Sequence, residues 1–93
     1  MADLLEIEPT DDSLMAFDGR ILEIFFRAGN VPGRVSARFH VNGIEAIEIT
    51  EGWGRSIRVK YRFGSNEGGI AYEKDRLPEV REFADRVMAA AQA

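Results

Sequence analysis

Apolar and polar residues alternate along most of this chain and turn to a helical spacing only near its end. Ile57, Val59, Tyr61 and Phe63 alternate with Ser56, Arg58, Lys60 and Arg62, the two-residue period of a strand with one buried face. Over 77–91 the apolar residues fall instead at 80, 83, 84, 87, 88 and 91, while Glu79, Arg81, Glu82, Asp85 and Arg86 take the opposite side, so the spacing predicts an amphipathic helix. Pro78 suits its first turn, where the missing N–H would be unpaired anyway. A one-sided helix after a β-rich stretch needs a sheet to lie on.

Two Asx-Gly dipeptides divide the apolar runs before it. Leu14 to Phe17 and Arg20 to Phe26 flank Asp18-Gly19, which predicts a type I′ hairpin with Phe17 opposite Arg20. Met15, Phe17, Leu22, Ile24 and Phe26 then share a core face, and Leu14, Ala16, Ile21, Glu23 and Phe25 share the other. The second face is too apolar to be wholly solvated. Val35 to Val41 and Ile44 to Ile49 flank Asn42-Gly43, which predicts a second hairpin of the same kind. The apolar phase of its return strand slips at Ala46-Ile47, and a β-bulge there would restore it.

The remaining segments are shorter. Val31-Pro32-Gly33-Arg34 suits a type II turn, Glu51-Gly52-Trp53-Gly54 is a further turn, and 64–69 reads as a glycine-rich loop before a return strand over 70–74. Residues 1–12, with Leu4, Leu5 and Ile7 before Pro9, are either an edge strand or an acidic leader. The 93 residues therefore form one domain, strands over 13–75 and then a helix over 77–91. The expected class is α+β and mainly β: a curled antiparallel sandwich or barrel capped by the C-terminal helix.

Composition narrows the function classes. The chain lacks cysteine, so disulfides and thiolate-bound zinc are excluded. It has no apolar run long enough to span a membrane and no basic start to a signal peptide, which leaves a cytoplasmic location as the expectation. The net charge of −4 disfavours nucleic acid. That charge is unevenly placed. Residues 1–19 hold six acids and no base, whereas 27–62 hold seven bases against three acids.

Candidate chemistry is sparse, and neither a cofactor nor a metal is expected. Arg58, Lys60 and Arg62, with Arg55 just before them, form a basic stripe; it is either an anion-binding face or one neutralised across the sheet. If Phe63 opposes Ile70, Lys60 meets Glu73, Arg58 meets Asp75 and Arg62 is left over. The Asn42-Gly43 hairpin would bring His40, the one histidine, beside Glu45, but no nucleophile motif completes a catalytic set. Trp53 stands between two glycines, either tucked over the core or exposed as a binding anchor. The acids at 3, 6, 8, 11 and 12 do not follow a calcium-loop pattern.

The Phe17-Asp18-Gly19-Arg20-Ile21 turn, Ile44-Glu45-Ala46-Ile47 before the Gly-Trp-Gly turn, the strand Ile57 to Phe63 and the terminal Leu77-Pro78-Glu79-Val80-Arg81-Glu82-Phe83-Ala84 together resemble the pleckstrin-homology-like (PH-like) domains of small, largely actinobacterial proteins. The resemblance covers about residues 12–91. It implies two curved, nearly orthogonal sheets of seven strands, a helix closing one open end, and a binding module without catalysis. Eukaryotic members that bind phosphoinositides use a basic loop between their first two strands. If Leu14 begins the first strand, that turn is Asp18-Gly19 and carries no base, so phosphoinositide recognition does not carry over.

The expected function is protein binding or self-association through Leu14, Ile21, Phe25 and Trp53. Binding of an anionic lipid or phosphate ligand by Arg55, Arg58, Lys60 and Arg62 is the alternative, with membrane-surface contact the less favoured partner.

Overall fold

The computed structural model describes residues 4–26, 35–62 and 67–93. The Val31-Pro32-Gly33-Arg34 turn and Phe63 lie outside the described residues. Strand β1 (Leu5–Ile7) pairs with β2 (Ser13–Phe17), β2 with β3 (Ile21–Phe26), and β3 with β4 (Val35–His40), all antiparallel. A single 3-10 turn, Val41–Gly43, leads to β5 (Ile44–Thr50), β6 (Ser56–Tyr61) and β7 (Glu67–Ala71), a second antiparallel sheet in the order β5-β6-β7. A further 3-10 turn, Lys74–Arg76, opens into α1 (Leu77–Ala91). The architecture is the expected mainly-β α+β class, with seven strands in two sheets and one C-terminal helix.

Alternation decides which side chains meet between the sheets. Met15, Phe17, Leu22, Ile24 and Phe39 from the first sheet and Ile44, Ile57, Val59 and Ile70 from the second are buried in one cluster. The helix contributes Val80, Phe83 and Val87, and it packs against β5, the Val41–Gly43 turn and β1. Residues 1–12 therefore divide: Leu5–Ile7 is an edge strand, and Pro9 beyond it is fully buried.

The first Asx-Gly turn is centred one residue later than expected. Phe17 pairs with Leu22, not Arg20, so Asp18 faces Ile21 and the central residues are Gly19 and Arg20. Gly19 has φ +98 and no other residue of the turn is positive, the II′ pattern. The Asp18 carboxylate causes the shift, because its Oδ1 accepts from the N–H groups of both Arg20 and Ile21 at 2.8 Å. A two-residue change of register preserves parity, so the core face remains the one read from the sequence.

The second expected hairpin is absent. β4 pairs with β3 and β5 pairs with β6, and Asn42-Gly43 carries the chain from one sheet to the other. Val41 N–H still donates to Arg20 O at 2.8 Å in the first sheet, whereas Gly43 O already accepts from Arg62 N–H at 2.6 Å in the second. Gly43 does not have positive φ. Its missing side chain makes room for the Tyr61 ring, since a Cβ there would lie 2.2 Å from Tyr61 Cζ.

The phase slip is real and falls slightly earlier than expected. Ile44 pairs with Tyr61 and Ala46 with Lys60, so Glu45 is the extra residue; the shift lets Ile44, Ile47 and Ile49 all face inward. Glu67-Gly68-Gly69, expected in a loop, belongs to β7, and that strand ends at Ala71 rather than at 74. Small residues are required there because a Cβ on Gly68 would press the Phe39 ring and one on Gly69 would lie 2.7 Å from Ile57 O.

Candidate functional site

The Trp53 loop is built by the end of one ladder and the start of the next. Thr50 pairs with Ser56, and the five residues between them project beyond the sheet. Gly52 and Gly54 have φ of +91 and +79, conformations that give the loop its sharp reversal around Trp53. Trp53 is fully exposed, at 101% relative accessibility. Trp53 is therefore not tucked over the end of the core. Arg55 folds back, donating Nη1–H to Gly52 O at 3.3 Å, so it braces the loop.

The apolar residues expected beside Trp53 are dispersed. Leu14 and Phe25 are cross-strand neighbours on the outer face of the first sheet, both half-buried. Ile21 pairs with His40 at the other end of β3 and is half-buried too. Between them Glu23 and Arg38 form an ion pair at 3.5 Å. Trp53 belongs to the other sheet, so the four residues do not form one row.

The basic stripe is paired, though not with the expected partners. Ile57, not Phe63, faces Ile70, which puts Lys60 opposite Glu67 and Arg58 opposite Gly69. Arg58 reaches Glu67 at 3.0 Å, Lys60 reaches Glu48 at 2.8 Å, and Arg62 lies 3.9 Å from Glu45. The Lys60 hydrogen bond holds the Glu48 carboxyl below its ordinary value, and the same bond raises the Lys60 ammonium. Glu73, expected on Lys60, instead bonds Arg76 at 3.4 Å, while Asp75 lies in the turn before α1. The misplacement follows from β7 beginning three residues before Ile70.

His40 and Glu45 stand on different sheets, so the expected His–carboxylate pair does not form. His40 Nδ1 accepts from Asn42 N–H at 3.2 Å, capping the corner turn. Among the described residues no group of three or more histidine, aspartate or glutamate side chains has metal-binding geometry.

Comparison with family models, curated proteins and solved structures finds no match. Among the described residues no helix is long and apolar enough to cross a membrane.

A feature that residue patterns missed is a groove between β1 and α1. Leu5, Ile7 and Phe83 line it, with Glu6, Glu79, Glu82 and Arg86 around them, and its volume is about 300 Å³. A second depression of about 290 Å³ shares Glu6, Ile7 and Glu79 and extends the groove toward Glu8, Leu14 and Arg76. The early excess of acids was the available signal, but only the tertiary fold sets Glu79 of the helix opposite Glu6.

With β1 now the first strand, the loop between the first two strands is 8–12, where Glu8, Asp11 and Asp12 stand. Arg76 ties this loop to the base of α1: it donates Nη1–H to Glu8 O at 2.5 Å and pairs with Asp11 at 2.8 Å. Glu73 N–H also donates to Pro9 O at 2.8 Å. The Asp11 hydrogen bond raises the Arg76 guanidinium further above its ordinary value.

Proposed function

We propose that this chain is a non-enzymatic binding module of PH-like type that contacts another protein surface, or a second copy of itself, through Trp53. The observation that carries the reading is the full exposure of one tryptophan on a glycine-hinged tip, when almost every other large apolar side chain described is at least partly covered. A tryptophan at such a tip brings a large apolar area at low cost in conformational entropy, the property of residues that dominate binding energy at interfaces. Seven strands in two antiparallel sheets, followed by a terminal helix, also agree with what the PH-like resemblance implies. A cytoplasmic location is part of the same reading.

Anionic-lipid binding by the basic strand has less support. Arg58, Lys60 and Arg62 each have a carboxylate within 4 Å, and the loop between the first two strands is acidic. Liposomes containing anionic lipid should not sediment the protein at moderate salt; retention that vanished with Arg62→Glu would restore the lipid reading.

Light scattering over a concentration series, with capture from cell extract by immobilised protein, tests the main reading. The expected result is self-association, or a retained partner, that Trp53→Ala abolishes without changing the melting temperature by more than about 1–2 °C. Because Trp53 is the sole tryptophan, its emission should shift to the blue as the complex forms. A strict monomer that retains nothing, or a complex indifferent to Trp53→Ala, would overturn it.

A further inference from the structure

We propose that the groove between β1 and α1 receives an extended peptide that carries lysine or arginine on either side of an apolar residue. Three properties of the groove identify that occupant. Its floor is apolar, made by Leu5, Ile7 and Phe83. Its rim is acidic and incompletely neutralised. On the helix, Glu79 and Glu82 are three residues apart on one face; Arg86 pairs with Glu82 at 3.4 Å, while Glu79 has no cation partner among the described residues. Across the groove Glu6 and Glu8 project from the same side of the chain, also without an ion pair among the described residues. The one other base at the rim, Arg76, is committed to Asp11 and Glu73.

The third property is a strand edge. β1 pairs with β2 alone, so its other edge offers main-chain donors and acceptors without a neighbour in the sheet. An extended peptide satisfies such an edge, presenting alternate side chains to opposite sides. One apolar side chain then meets the floor while its two neighbours point toward the carboxylates. An acidic segment would meet like charge, and a wholly apolar one would leave the rim carboxylates facing nonpolar groups. The strand is only three residues long, so few main-chain bonds are available and charge complementarity must set the preference. The surface is separate from the Trp53 tip, and the two readings fail independently.

The probe is a capped, fluorescein-labelled peptide Lys-Val-Lys-Leu-Lys, titrated with the full chain and read by anisotropy. Saturable binding at low ionic strength is expected, weakening about tenfold at moderate salt. The peptide Glu-Val-Glu-Leu-Glu should not bind. The double variant Glu6→Lys/Glu79→Lys alters two exposed side chains and should fold normally while weakening binding about tenfold or more. Glu51→Lys/Asp85→Lys makes the same charge change on the other side of α1 and should keep most of the affinity. Amide shifts in NMR spectra should concentrate at residues 5–8 and 79–86. No binding at low salt, equal losses in the two double variants, or shifts centred elsewhere would each overturn the proposal.

Discussion

Asp18-Gly19 and Asn42-Gly43 are near-identical dipeptides between apolar runs, yet one reverses the chain within a sheet and the other carries it between sheets. The difference lies in what satisfies each backbone. At Asp18 the solution is local: a carboxylate bonds two amides two and three residues on, and Gly19 takes the positive φ. At Asn42 it is distant: Val41 bonds Arg20, Gly43 bonds Arg62, and the space beside Gly43 is taken by Tyr61. Asp18 and Gly19 are exposed, whereas Val41, Gly43 and Ile44 are buried. One turn is set by its own residues, and the other by what packs on it.

If the corner is held by tertiary burial, removing its cover should have the largest effect. Phe83 is 4% exposed on the helix that packs against the corner. Phe83→Ala should cost about 3–5 kcal/mol in denaturant unfolding. Phe83→Asp adds a buried unpaired charge, and against a total stability of about 5–15 kcal/mol it should leave the chain unfolded by circular dichroism. A Phe83→Asp protein melting like the wild type would mean that the helix does not hold the corner.

Filling the corner is the next test. Gly43→Val puts branches where the Tyr61 ring lies and should cost about 3 kcal/mol. The cost should shrink in a Tyr61→Ala background, because the clash depends on both residues. At the local turn, Gly19→Ala strains a backbone at φ +98 with no such partner; about 1–2 kcal/mol is expected, unchanged by Tyr61→Ala. Additive behaviour at Gly43 would erase the distinction between the two turns.

The same contrast explains what residue patterns could disclose. Face assignment, the helix and the bulge are periodicity effects, so Met15, Phe17, Leu22 and Ile24 were legible as core, and Val80, Phe83 and Val87 as the helix stripe. Register was not. A carboxylate that bonds amides displaced the first turn by one residue, and an early start of β7 re-paired Arg58 and Lys60. Sheet membership was least legible, because a glycine chosen to admit a ring reads the same as a glycine chosen for positive φ. Trp53 was conspicuous by its flanking glycines, but its exposure depends on the core being filled without it. The β1–α1 groove joins residues more than 70 positions apart, a juxtaposition that no local pattern contains.

The smallest expected effect separates the turns by pH. Two amide hydrogen bonds, from Ile21 and then Arg20, hold the Asp18 carboxyl below its ordinary value of 3.8. A carboxylate with a depressed folded-state pKa stabilises fully above its unfolded value, and that contribution is lost as pH falls through the folded one. The wild type should therefore melt above Asp18→Asn near neutrality and lose that margin as pH drops through about 4 and below, the two converging in acid, where the protonated carboxyl, like the asparagine amide, offers the same amides only a neutral acceptor oxygen. Asn42→Asp is the reciprocal change. Asn42 is exposed, and its part in the corner is a backbone N–H given to His40, so an added carboxylate there gains no comparable pair of amides and should add no acid slope. Equal slopes for wild type and Asp18→Asn would show that the carboxylate does not hold the first turn, and a new slope in Asn42→Asp would show that the second turn is governed by its own side chain as well.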